Sequence, residues 1–310
     1  MSSHRLNEQA KGVFIISATP FTENGELDLE SASRLVDFYL EKGVAGITLL
    51  GMMGEAPKLS ADESVRFLGH MLNRVDGRVP VVVGVSNPGL DNLVNLTRQS
   101  MDRGAAGVMI APPTDLSPDE KIYLYFDQLF AALGDETPVV YQDYPFATRA
   151  PISVTTFNRL VADFPLLVML KHEEWPGLNK LTEVRRTAGT GLRRVSVLVG
   201  NGGLYLPQEL TRGADGAMTG FAYPEMLVGV VKHHQQGEVD LAEDLFDAYL
   251  PLVRHEQQPG FGLAVRKEIL HRRGVLSSPR VRAPGPSLNS TDHEELTRLI
   301  RRVQNNIEEL

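Results

Sequence analysis

The chain has 310 residues, 42% of them hydrophobic and 23% charged, and it contains no cysteine. This composition is that of a soluble globular protein, and it excludes a disulfide scaffold, a cysteine zinc site, an iron–sulfur cluster and a cysteine nucleophile. With 31 Lys and Arg against 39 Asp and Glu, the net charge of −8 repels phosphate backbones and anionic bilayers, so neither nucleic acid nor membrane is an expected partner.

No run approaches the ~18 apolar residues that a membrane span requires. The opening MSSHRLNEQAKG is polar and lacks the apolar stretch of a signal peptide, so the expected location is cytoplasmic.

In chain order, an apolar run at 13–17 precedes an amphipathic stretch at 31–43, where Leu35, Phe38, Tyr39 and Lys42 recur at helical spacing. Runs at 45–50, 79–85 and 106–111 precede helical stretches at 61–75, 90–104 and 118–133. Further runs follow at 138–142, 166–170, 195–200 and 214–220. Nearly continuous apolarity within each run predicts parallel strands covered on both faces. Eight such runs, at roughly thirty residues per unit, predict an α/β protein of the (β/α)8 TIM barrel type. A doubly wound sheet is disfavoured, because no GxGxxG follows the first run.

Three further helical stretches, at 239–253, 262–273 and 291–307, are joined by a Pro/Ser-rich link at 277–290. The expected organisation is an N-terminal extension (1–11), the barrel (12–236) and a C-terminal helical extension packed on it (237–310).

Active sites of such barrels lie at the C-terminal ends of the strands. The residues closing each run include Gly51-Met52-Met53-Gly54, Gln142-Asp143, Lys171-His172-Glu173, Gly200-Asn201-Gly202-Gly203 and Thr219. Lys171 stands out because it ends an apolar strand. Burial favours the neutral amine of a lysine, and neutral amines attack carbonyls to form imines. A strand-end lysine turned to solvent, or paired with Glu173, is the competing reading.

The segments 17-SATPFTENGELD-28, 51-GMMGE-55 and 138-PVVYQDYP-145, then Lys171 and 213-GADGAMTG-220, resemble in order and spacing the dihydrodipicolinate synthase/N-acetylneuraminate lyase family, from about Gly12 to about Arg282. The resemblance implies a barrel whose strand-six lysine, here Lys171, forms an imine with a 2-keto acid. The implied reaction is an aldolase, lyase or dehydratase step on a small-molecule 2-keto acid, in a homo-oligomer (tetramer or dimer), with no cofactor and no metal.

Departures from that pattern shape the expected site. The hydroxyl residues of the family's second-strand loop are Met52 and Met53 here, which leaves the backbone amides between Gly51 and Gly54 to hold a carboxylate. The tyrosine position on strand five falls on Gln142 without a gap, and a one-residue bulge would bring Tyr141 or Tyr144 there instead. A second tyrosine of the synthases corresponds to Thr114, and their arginine to Ala147.

The combination Gln-Asp-x-Pro, Lys-x-Glu followed by Pro-Gly, Gly-Ala-Met-Thr-Gly and Leu-Pro-Leu-x-x-His-Glu resembles the 2-keto-3-deoxy sugar acid dehydratase branch. The expected catalytic set is Lys171, Glu173 and Gln142. Gly51, Met52, Met53, Gly54, Asp143, Thr219 and Asn201 are expected to bind substrate.

Since glutamine orients a hydroxyl but carries no proton, Glu173 is the expected acid/base, with a solvent-facing or Lys171-paired role as its alternative. Asp143 follows an inward position, and alternation turns it outward. Thr219 either meets substrate or caps strand eight. The Gly202-Gly203 loop reads either as a tight turn or as a phosphate cradle. Trp175 is expected to pack between helices, with lining the entrance as its alternative, and His172 to point away from Lys171. A keto-acid-binding barrel without turnover remains the non-enzymatic alternative, and a pyruvate aldolase of synthase or neuraminate-lyase type the enzymatic one.

Overall fold

The computed structural model describes residues 5–309. The apolar runs form β1 (Gly12–Ile16), β2 (Gly46–Leu49), β3 (Val81–Gly84), β4 (Gly107–Ile110), β5 (Val139–Asp143), β6 (Leu167–His172), β7 (Ser196–Val199) and β8 (Gly216–Thr219). All neighbours pair in parallel, and β1 also pairs with β8, which closes the barrel. The protein is therefore a (β/α)8 barrel.

Between strands run α1 (Leu29–Glu41), α2 (Ala61–Val75), α3 (Leu90–Asp102), α4 (Asp119–Leu133), the single turn α5 (Pro145–Thr148), α6 (Val154–Asp163), α7 (Leu178–Ala188) and α8 (Leu206–Thr211). After β8 come α9 (Pro224–Gln235), α10 (Val239–Glu256), α11 (Gly262–Arg272) and α12 (Ser290–Glu308). Local signals start the long helices: Ser60 and Asn289 form reciprocal capping boxes with Glu63 and Asp292, and Asp28 caps α1. Among the described residues, no helix is long and apolar enough to cross a membrane.

Strand alternation splits the apolar residues into two cores. Outward residues such as Ile15, Ile47, Val83, Ile110, Tyr141 and Val197 pack under the helices. Inward residues, among them Phe14, Ile16, Val82, Met109, Leu198 and Met218, fill the barrel as a second, separate cluster. The interior is thus solid, and chemistry is confined to its upper rim.

The C-terminal helices brace that rim. Arg266 of α11 is fully buried; it pairs with Glu256 (2.5 Å) and donates to Gly220 O (2.6 Å) just past β8. Lys267 donates to Glu55 Oε1 (2.5 Å), Thr19 O (2.8 Å) and Arg280 O (2.9 Å), which ties the loops after β1 and β2 to the tail.

Candidate active site

The β5–β6 pairing slips by one residue: Val139 faces Leu167, but Val140 faces Met169, so Val168 is an extra residue in β6. Unbroken alternation from Leu167, which packs under the helices, would turn Lys171 outward as well. The bulge reverses that phase. Val168 and Met169 both lie in the interior cluster, Leu170 packs outside, and Lys171 turns inward between Gln142 of β5 and Leu198 of β7.

Lys171 and Gln142 are 5% and 3% exposed. Lys171 Nζ lies 3.0 Å from Glu173 Oε2, and Gln142 Nε2 donates to that same oxygen at 2.8 Å. Glu173 continues the inward phase beyond the strand, and its amide donates to Asp143 O at 2.9 Å. Its side chain lies on Gly200, where a Cβ would stand 2.3 Å from Glu173 Cγ and Oε1. Asn201 Nδ2 donates to Glu173 O at 3.0 Å. A buried amine, a carboxylate and an orienting amide therefore share one small volume at the barrel rim.

The loop after β2 borders this volume. A Cβ on Gly51 would lie 3.4 Å from Ile16 Cγ2 and 3.7 Å from Met109 Cε, so the loop rests on the interior core. The Gly54 and Glu55 amides close a tight turn onto Gly51 O (2.9 Å) and Met52 O (3.0 Å). That leaves the Met52 and Met53 amides at the open N-terminal end of the turn, where a carboxylate would meet them. Thr19 Oγ1 donates to Gly54 O (2.5 Å), and Glu55 is buried against Lys267. A cavity of about 520 Å³ opens here, bounded by Gly51, Met52 and Gln142 on one side and by Asn87, Asn92 and Asn95 on the other. None of its described lining side chains is charged.

Asp143 and Thr219, two of the expected substrate ligands, face outward from the barrel. Asp143 follows Gln142 and so faces outward, fully buried, with Lys180 2.7 Å away and His172 Nδ1 3.4 Å away. Burial pushes its carboxyl up, but hydrogen bonding to His172 and the charge of Lys180 outweigh this and hold it below the usual carboxylate range. Thr219 shares its row with the outward Ile15, and its hydroxyl accepts from Gly202 N at 2.7 Å, which clips the β7 loop to β8. Met52 is 43% exposed, whereas Met53 packs on the interior core. Asn201 acts on the Glu173 backbone.

Other expectations resolve on packing. The Gly202 amide is taken by Thr219, that of Gly203 donates to Gly200 O (2.9 Å), and Gln257 fills the space beside Gly202, so this loop is no phosphate cradle. Trp175 does not pack between helices; it is half exposed and meets Tyr205 edge to face at 6.3 Å. Tyr141 points outward against Phe126 and Phe157, so the bulge does not bring it to the site. Tyr144 is half-buried, its hydroxyl pKa raised by burial and by the charge of Glu173.

Sequence reasoning missed the Glu55–Lys267 pair, the clearance at Gly200 and the buried carboxyl of Glu209 on α8. Burial pushes the Glu209 pKa up to about 7. No signal in the segment 206-LPQELT-211, where Gln208 and Thr211 are polar as well, marked the last as buried.

A profile of the dihydrodipicolinate synthetase family matches residues 9–303. The chain belongs to that family. L-2-keto-3-deoxyarabonate dehydratase of Azospirillum brasilense is 30% identical over 297 residues, covering 94% of each chain. The 4-hydroxy-tetrahydrodipicolinate synthase of Thermotoga maritima is 29% identical over 250 residues, covering 79% of this chain and 82% of the synthase. Among solved structures, the dihydrodipicolinate synthase of Rhodopseudomonas palustris superposes with a TM-score of 0.95 at 50% identity, covering 97% of this chain and 100% of that one. Family members are lyases, and the dehydratase is a hydro-lyase, so this chain is an enzyme of the lyase class.

Proposed function

We propose that the protein is a Schiff-base hydro-lyase acting on a 2-keto-3-deoxy sugar acid. The observation that carries the reading is the convergence of Lys171 Nζ and Gln142 Nε2 on Glu173 Oε2 inside the barrel rim.

Lys171 Nζ attacks the C2 ketone, and loss of water leaves a protonated imine. Its positive nitrogen draws electrons from C3, so a C3 proton leaves to Glu173 and an enamine forms. The enamine pushes out the C4 hydroxyl, which takes a proton from the Glu173 carboxyl and departs as water. Hydrolysis then frees the amine. Gln142 holds the carboxylate and orients a substrate hydroxyl without competing for the proton. The Met52 and Met53 amides receive the keto-acid carboxylate.

Two features favour dehydration of a polyhydroxy chain over a synthase reaction. Met52, Met53 and Gln142 replace the family's hydroxyl relay, and the cavity beside Gln142 offers amides and hydroxyls but no cation for a second carboxylate. The synthase reading is supported by the name carried by the 50% identical Rhodopseudomonas palustris protein.

Borohydride reduction in the presence of pyruvate or a 2-keto-3-deoxy acid tests the proposal. Mass is expected on the peptide carrying Lys171 and none on Lys171→Ala. Absence of an adduct with every keto acid tried overturns it, and product analysis separates dehydration from carbon–carbon cleavage.

A further inference from the structure

Directly behind the Lys171–Glu173 pair, on the outer side of β6, lies a largely buried set of titratable groups that the chemistry above does not use. His172 faces it and is 1% exposed. Its Nε2 lies 2.9 Å from Gly177 O, an acceptor only, so Nε2 carries the proton and donates. Its Nδ1 faces Asp143 Oδ2 at 3.4 Å. Lys180 of α7 stands 2.7 Å from Asp143 and 2.6 Å from Glu174, by charge contact and without an aligned hydrogen bond. Glu209 of α8 completes the surround.

Gly177 is shaped for this contact. A Cβ there would fall 2.6 Å from His172 Nε2 and 2.3 Å from Glu174 O, although its φ of −100° suits any residue. The Gly177 carbonyl also accepts from Leu181 N at 3.0 Å, in the first turn of α7. The five-residue loop that carries Glu173 is thus pinned twice. The Glu173 amide holds its start to Asp143 O, and the His172 imidazole holds its end to the helix.

We infer that His172 is a positioning residue for Glu173, acting through its Nε2 hydrogen bond to Gly177 O, in the acid/base reading on which this inference rests. The bond sets where the loop leaves β6 and hence where the Glu173 carboxylate stands over the imine. Imine formation itself needs only Lys171, which is held by the strand.

The test separates these two steps. Pyruvate is the probe; borohydride trapping reads the imine, and exchange of its C3 protons in D2O, followed by NMR, reads the base. His172→Gln retains an N–H at the Nε2 position, whereas His172→Asn reaches only the Nδ1 position and leaves Gly177 O unmet. Both variants are expected to trap pyruvate as the wild type does. His172→Gln is expected to exchange within about threefold of wild type and His172→Asn at least about tenfold more slowly, the scale of loss from a misplaced group. Equal exchange in Gln and Asn variants overturns the inference, as does loss of trapping in parallel with exchange. If His172→Asn fails to fold, His172→Met, which keeps the side-chain length and removes the donor, takes its place with the same expected split. Wild-type exchange that survives Glu173→Gln overturns the acid/base reading itself, and the positioning role falls with it; wild type without any imine overturns the Schiff-base reading.

Discussion

Gln142 and Lys171 face each other across the β5–β6 pair and converge on a single oxygen, Glu173 Oε2. Of the two side chains flanking the amine, only the carboxylate can carry a proton. An amide in place of Glu173 would keep the shape and lose the transfer. Glu173→Gln is therefore expected to trap keto acid on Lys171 normally while turnover falls about a hundredfold or more. Steady-state kinetics beside borohydride labelling of one preparation checks this, and parallel loss of both would assign Glu173 to imine formation instead.

The room for that carboxylate is made by an absent side chain. A methyl group on Gly200 would stand 2.3 Å from Glu173 Cγ, closer than any real Cβ contact, so Glu173 has to move. Gly200→Ala is expected to fold, to form the imine and to lose about a hundredfold in kcat, as for a reacting group displaced by about an ångström. Thermal unfolding and kcat measured together decide the matter; unchanged kcat rejects it.

Glu55 and Lys267 form a buried pair whose side chains are 1% and 0% exposed. Burial pulls the Lys267 pKa down to about 8, with Glu55 opposing it. Glu55→Gln leaves that cation without its partner and is expected to cost about 3 kcal/mol in unfolding free energy. Lys267→Met added to it is expected to restore part of the loss. The loop holding Gly51–Gly54 hangs from this pair through Glu55, so KM for the keto acid should rise in the single variant. Denaturant unfolding of the three proteins reads the first effect, and initial rates read the second.

Glu209 contributes a pH dependence with a definite sign. Burial raises its carboxyl from 4.5 to about 7 in the folded protein, so between these values the folded state binds the extra proton. Stability from this group is present below pH 4.5 and is lost as pH rises through 7. Glu209→Gln, neutral at every pH, is expected to gain on the order of 3 kcal/mol over wild type at pH 8 and little at pH 4.5. Melting temperatures at the two values test it; an equal gain at both would mean that ionisation is not the cause.

Much of the barrel was legible because each strand is a local, doubly covered apolar run. The strands fell within the expected runs apart from one added residue at the start of β1, one at the end of β5 and two at the end of β6; β2, β4 and β7 are two residues shorter than their runs, and β3 and β8 three. Val79 and Pro80, for example, lead into β3 without joining it. The helices between β5 and β8 were not delimited from sequence. α7 buries only Leu181 and Val184, and α5 and α8 are one or two turns long, too short for a periodic signal. Trp175 was misread and Thr219 left open for another reason: exposure at a loop and a hydroxyl clipped to a neighbouring loop depend on chain that is distant in sequence.

Composition and the order of residue types determined that this chain closes eight parallel strands and places a lysine, a glutamate and a glutamine at the ends of two adjacent ones. Which way they face was decided only when β6 paired with β5. The side-chain period of a strand is two, so the single extra residue at Val168 separates an inward Lys171 from one buried under the helices. No local property of Val168 announces the slip, because it arises from fitting β6 between two neighbours at once.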